Sequence, residues 1–162
     1  MTNKGETEMN KYKIVLIGSL VIALFYAPQI CFPQESEAEK IMFKLFDAFN
    51  RHDADAMFSF YDENAMVYSH DYDTVRGDLK FLRENYSKMF KRSPNIKDEV
   101  KHYFVSKDGD EVAVEFVSTG TVQDLIDDDP QRILGRNFYV KLFTRLKIKN
   151  GKIIEDITYF DK

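Results

Sequence analysis

At Ile96 the spacing of apolar residues changes, and that change restricts the chain to one fold class. Before it, Ile41, Met42, Leu45, Phe46 and Phe49 recur at helical intervals, and so do Leu79, Leu82, Tyr86, Met89 and Phe90. After it, apolar residues alternate with polar ones, as on a half-buried strand. Helices followed by antiparallel hairpins predict an α+β domain, with helices on one face of a strongly curved, mainly antiparallel sheet.

The punctuation agrees. Ser36-Glu37-Ala38-Glu39 has capping-box spacing ahead of the first helix. Asp53 is placed to cap a second helix whose buried side holds Met57, Phe60 and Tyr61, and Asp78 a third. Ser93-Pro94 stops the third helix. Asp62-Glu63-Asn64 reads as a turn before a short strand, Ala65 to Ser69. Four strands follow, over Ile96–Ser106, Asp110–Gln123, Asn137–Lys149 and Lys152–Phe160. Asn150-Gly151 is a strong hairpin turn signature.

Residues 34–162 hold this pattern. Residues 1–33 do not belong to it. Ile14 to Ala27 is an uncharged apolar run preceded by Lys11 and Lys13, the pattern of a secretory signal peptide. At 14 residues it is shorter than the roughly 20 that cross a bilayer. Extended to Phe32 it approaches that length, so an uncleaved membrane anchor is the alternative. The expected location is secreted or periplasmic, or anchored with the domain outside the cytoplasm. The membrane would be met only through this segment. Met9 is a better-shaped signal start than Met1.

The net charge of -4 removes strongly basic nucleic-acid binders. A single cysteine removes an internal disulfide framework and a cysteine-built zinc site. No Gly-rich phosphate loop, nucleophile elbow or HExxH helix is present. Asp127-Asp128-Asp129 lacks the spacing and glycine of a calcium loop. No cofactor and no metal site are expected. His70-Asp71 and His52 read as loop and turn residues.

Four phrases carry a family resemblance: FDAFNRHDADAMFSFYDENAMV, VRGDLKFLRENY, VSKDGDEVAVEFVSTGT and KIKNGKIIEDITYFD. In this order they resemble the SnoaL-like branch of the nuclear transport factor 2-like superfamily, over about residues 37 to 162. The resemblance implies a cone, a bent sheet wrapped around a pocket and closed by helices. Many members are dimers, so a homodimer is expected. Members include cyclases, isomerases and dehydratases, so the fold alone assigns no reaction. Ketosteroid isomerases share the fold and use an Asp base with a Tyr and a protonated Asp as oxyanion donors. The matching positions here are Ser69, Leu45 and Thr144, and none can take over those tasks.

Strand alternation then sorts the side chains. Expected on the pocket side are Leu45, Phe49, Val67, Ser69, Val114, Phe116, Ser118, Thr144 and Thr158, which would hold a small, largely apolar ligand. Two titratable residues are expected among them. Asp156 lies between Ile154 and Thr158, where an apolar cavity would bring a carboxylate toward acid–base use, unless neighbouring hydroxyls hold it or a bulge turns it out. Pairing across Lys107-Asp108-Gly109 puts His102 opposite Val114 on the same inner face, and Lys101 opposite Glu115 on the outer one. His102 is then a second acid–base candidate, unless it is merely a satisfied histidine at the sheet edge. Ala113, Val117, Tyr139 and Phe143 share the outer face. They motivate the alternative of a non-catalytic, dimerising interaction module.

Overall fold

A computed structural model describes residues 35–69, 78–123 and 134–160, all within one unit, Glu35–Lys162. The N-terminal segment, His70-Asp71 and Asp127-Asp128-Asp129 lie outside the described residues. Among the described residues no helix is long and apolar enough to cross a membrane.

Three helices precede most of the sheet: α1 (Glu37–Asn50), α2 (Ala54–Ser59) and α3 (Leu79–Arg92). Each starts where a short polar side chain satisfies an otherwise orphaned backbone donor. Ser36 accepts from the N–H of Glu39 at 3.0 Å, Asp53 from Ala56 at 2.9 Å and Asp78 from Phe81 at 2.7 Å. The carboxylate of Glu39 accepts a hydrogen bond from Tyr103 Oη at 2.6 Å.

Five strands follow the order β1-β5-β4-β3-β2. They are β1 (Tyr61–Ser69), β2 (Lys97–Val105), β3 (Glu111–Thr121), β4 (Asn137–Lys149) and β5 (Lys152–Phe160). β1 runs parallel to β5, and every other pair is antiparallel. The architecture is the expected α+β one, with helices packed on a strongly curved mixed sheet. The core joins the apolar stripe of α1 (Ala38, Ile41, Met42, Leu45, Phe46, Phe49) to the inner residues of β3 to β5 (Val112, Val114, Leu146, Ile153). Phe46 meets Phe116 edge-on at 4.9 Å.

Two local irregularities change the sequence reading. β1 begins at Tyr61, not Ala65. The expected Asp62-Glu63-Asn64 turn is folded into the strand, where Asn64 N–H donates to Asp62 Oδ1 at 3.0 Å. The pairing with β5 shifts register between Tyr61 and Met66. Tyr61 is therefore a strand residue, and its ring enters the sheet's concave side. The second irregularity is in β2. Val100 pairs with Phe116, but His102 pairs with Glu115, so Lys101 is an extra residue, a β-bulge. Beyond it every side chain of β2 is displaced by one position relative to simple alternation.

Gly120 marks a close approach between strands. A Cβ there would lie 2.6 Å from Phe138 Cζ and 3.1 Å from the Cα of Ile96. The ring can swing aside, but the backbone cannot. Gly120→Ala is expected to destabilise the fold by about 1–3 kcal/mol, read by urea unfolding.

Candidate functional site

The concave side of the sheet and the three helices line a half-open cavity of about 190 Å³. Leu45, Phe46 and Phe49 of α1 and Tyr86 and Met89 of α3 supply its apolar wall, with Phe116, Leu142 and Leu146 from the sheet. Its polar groups are few: Tyr61, Asp98, Ser118, Thr144, Asp156 and Thr158. A mostly apolar wall with a few convergent polar groups is the usual make-up of a small-molecule site.

Asp156 is buried and fully engaged. Tyr61 Oη donates to its Oδ2 at 2.7 Å. Thr144 Oγ1 and Thr158 Oγ1 lie 2.9 and 3.1 Å from its Oδ1. The two threonine hydroxyls are themselves 3.0 Å apart, and Thr144 also reaches the carbonyl of Ile157 at 3.3 Å. Hydroxyl donors around an accepting carboxylate hold it in one orientation. The register explains the cluster. Thr144 pairs with Thr158, Leu146 pairs with Asp156, and Val67 of β1 flanks Asp156 from the other side.

Asp98, on β2, was not singled out from the sequence. It is 8% exposed, and its Oδ1 is buried without a hydrogen-bond partner. Burial pushes its carboxyl up to about 7, against a hydrogen bond from Ser118 that lowers it. Its backbone is held from α1. Asn50 Nδ2 donates to the Asp98 carbonyl at 2.9 Å, and Asn50 Oδ1 accepts from the Asp98 N–H at 2.8 Å. Nearby, the ring of His52 stacks on Phe90 at 4.8 Å, and its Nε2 lies 2.9 Å from the carbonyl of Ile96. A signal for Asp98 was available: it alternates with Ile96 and Val100, upstream of the bulge, where simple alternation holds.

The predicted pocket residues divide into groups. Leu45, Phe49, Phe116, Ser118, Thr144, Asp156 and Thr158 line the cavity together. Val67 and Val114 are buried in the adjoining core. Ser69 pairs through its backbone with Thr158 at the end of β1. His102 is corrected: it is exposed, opposite Glu115 on the outer face, because the hairpin loop is one residue longer than expected, with Val105 opposite Val112, and the Lys101 bulge reverses its face relative to Val100. The expected Lys101–Glu115 pair is replaced by a Lys101–Glu99 ion pair at 2.6 Å. Tyr103, not His102, faces Val114. On the outer face Tyr139 and Phe143 are exposed, whereas Val117 is buried. Among the described residues no group of three or more His, Cys, Asp or Glu side chains is arranged to hold a metal ion.

Residues 40–162 match the model of the SnoaL-like polyketide cyclase family. No curated protein matches the sequence. Several solved structures share the fold. AclR from Streptomyces galilaeus superposes with a TM-score of 0.66 at 20% identity, covering 79% of this chain and 77% of its own. A SnoaL-like polyketide cyclase from Agrobacterium tumefaciens gives 0.62 at 18%, covering 80% and 94%. SalBIII, an epoxide hydrolase/cyclase-like enzyme with a role in pyran ring formation in the polyether salinomycin, gives 0.63 at 21%, covering 77% and 91%.

Proposed function

The chain belongs to the SnoaL-like polyketide cyclase family, and from that premise we propose that its cavity binds a small, largely apolar ligand and transfers protons on it. The observation that carries this reading is the pair of carboxyl groups, Asp98 and Asp156, in one apolar cavity. They sit on β2 and β5, with β4 and β3 between them, so they do not form a dyad. Asp156, oriented by Tyr61, Thr144 and Thr158, is the base. Asp98, protonated below about pH 7, is the acid.

The step balances simply. Asp156 takes a proton from a carbon next to a carbonyl group. The C–H electron pair moves into the new carbon–carbon double bond, and the Asp98 proton passes to the carbonyl oxygen. Cyclisation, dehydration and isomerisation can all start from the resulting enol. The roles match those of the ketosteroid isomerases, but on different strands, since Ser69, Leu45 and Thr144 occupy the original positions.

The test is hydrogen exchange on acetophenone in D₂O, followed by NMR. Loss of the methyl proton signal should be clearly faster with the protein than in buffer. An unchanged exchange rate would remove the acid–base reading.

Export and assembly belong to the same proposal. Residues 1–33 act as a signal peptide, and intact mass of the protein purified from its own host should show them removed. A full-length mass would favour the anchor instead. The dimer reading rests on Tyr139 and Phe143, which are 64% and 41% exposed on the outer sheet face. Sedimentation at micromolar concentration should show a dimer, and Tyr139→Glu with Phe143→Glu a monomer. A wild-type monomer would count against that interface.

A further inference from the structure

Among the described residues lining the cavity there is no Lys, Arg or His, yet two carboxyl groups face into it. A negatively charged ligand would be buried beside Asp156 with no counter-charge, which is prohibitively costly in an apolar site. Asp156 is already held by three hydroxyls. The other, Asp98, keeps Oδ1 buried and unpartnered, 8% exposed as a residue. A buried polar atom without a partner marks a missing one. The cavity volume of about 190 Å³ adds a bound. A dry cavity of about 150 Å³ takes one benzene ring, so this one takes a ring and a short substituent.

We propose that the cavity selects a neutral, compact carbonyl compound of about one ring, seated with its oxygen at Asp98, and rejects charged ligands and fused multi-ring ones. This rests on the acid–base reading and names the substrate class that fits it. The oxygen accepts the hydrogen bond that Oδ1 lacks, while the ring packs against Phe46, Phe49, Tyr86 and Phe116. Ser118 holds the far side of the carboxyl group. The Asn50 clamp on the Asp98 backbone sets where the acid points.

Only a protonated Asp98 can donate. The titratable groups on the surrounding elements are His52 from the α1–α2 turn, Tyr61 of β1, Tyr86 of α3 and Asp156 of β5. Lys97 and Glu99, its neighbours on β2, are exposed on the other face. None places a cation in the cavity to hold Asp98 ionised.

The experiment is a binding series of near-isosteric probes at a pH well below and well above 7: acetophenone, benzoate and benzylammonium, with a tetracyclic steroid ketone as the size control. Acetophenone should bind at the lower pH, at least about tenfold tighter than the other three. Above the Asp98 transition its affinity should fall about tenfold per pH unit. Asp98→Asn keeps an N–H donor, so binding should persist in that variant and lose its pH dependence. Preferential binding of benzoate, benzylammonium or the steroid would overturn the proposal, as would a wild-type affinity indifferent to pH. Acetophenone that binds in this way without exchanging its methyl protons would instead defeat the acid–base reading alone.

Discussion

Asp98→Asn is expected to make the protein more stable at a pH well above 7, by about 4 kcal/mol, and to leave stability unchanged below pH 4. The folded carboxyl holds its proton to about pH 7, whereas the unfolded one releases it at the ordinary value of 3.8. Below both values, folded and unfolded chains are protonated alike and nothing is gained or lost. Between them the folded state binds the extra proton, so wild-type stability falls as pH rises, by about 1.4 kcal/mol per unit. Above about 7 the whole penalty is present, because an ionised Asp98 must sit in the apolar cavity. Asparagine removes the ionisation and keeps the shape. Ser118 can still hydrogen-bond it, and the Asn50 clamp touches only backbone atoms. Urea unfolding of both proteins at the two extremes of pH is the measurement. Parallel stability curves would show that Asp98 does not titrate late.

The second large effect is on activity. Asp156→Asn should slow the acetophenone exchange by about 10²–10⁴-fold, the usual contribution of a positioned base. The substitution is a fair one. An asparagine oxygen at the Oδ1 position can still accept from Thr144 and Thr158, and its NH₂ can donate to Tyr61 Oη, which now lies 2.7 Å from Oδ2. The fold should lose about 1–3 kcal/mol, since the Tyr61 O–H gives up its carboxylate acceptor. A variant that unfolds near the wild-type midpoint but exchanges protons at the wild-type rate would show that Asp156 is structural.

These two carboxyl groups also show how far the sequence could be read. The family resemblance places Asp156 on the inner face, and the structure holds it there through a shift of register past the Asn150-Gly151 turn: Ile148 pairs with Ile153, but Lys147 pairs with Glu155. Thr158 follows from alternation along β5, whereas Thr144 comes opposite it only through that shift. The fold was legible more directly. Ser36, Asp53 and Asp78 mark the three helix starts by local chemistry, and the change of period at Ile96 marks where the sheet takes over. His102 lies on the other face because the hairpin loop is one residue longer than Lys107-Asp108-Gly109 implies, and because the Lys101 bulge, announced by no glycine or proline, reverses its face relative to Val100. Counting back from a three-residue turn is one residue out from Val105 to His102 and correct from Val100 to Lys97, where the bulge cancels the error. Tyr61 was assigned to the second helix because its spacing from Met57 is helical. Only the parallel partner β5, far along the chain, makes it a strand residue. The raised acidity range of Asp98 depends on helices packing over it, which no local pattern of charges reports.

The Asn50 side chain has an additional effect. β2 is a border strand, paired on one side only, and at Asp98 the free side would present a bare N–H and C=O. The amide of Asn50 occupies both, standing in for one residue of an absent neighbouring strand. An intruding chain that tried to extend the sheet there would first have to displace it. The same contact that aims the acid therefore guards this stretch against edge-to-edge aggregation.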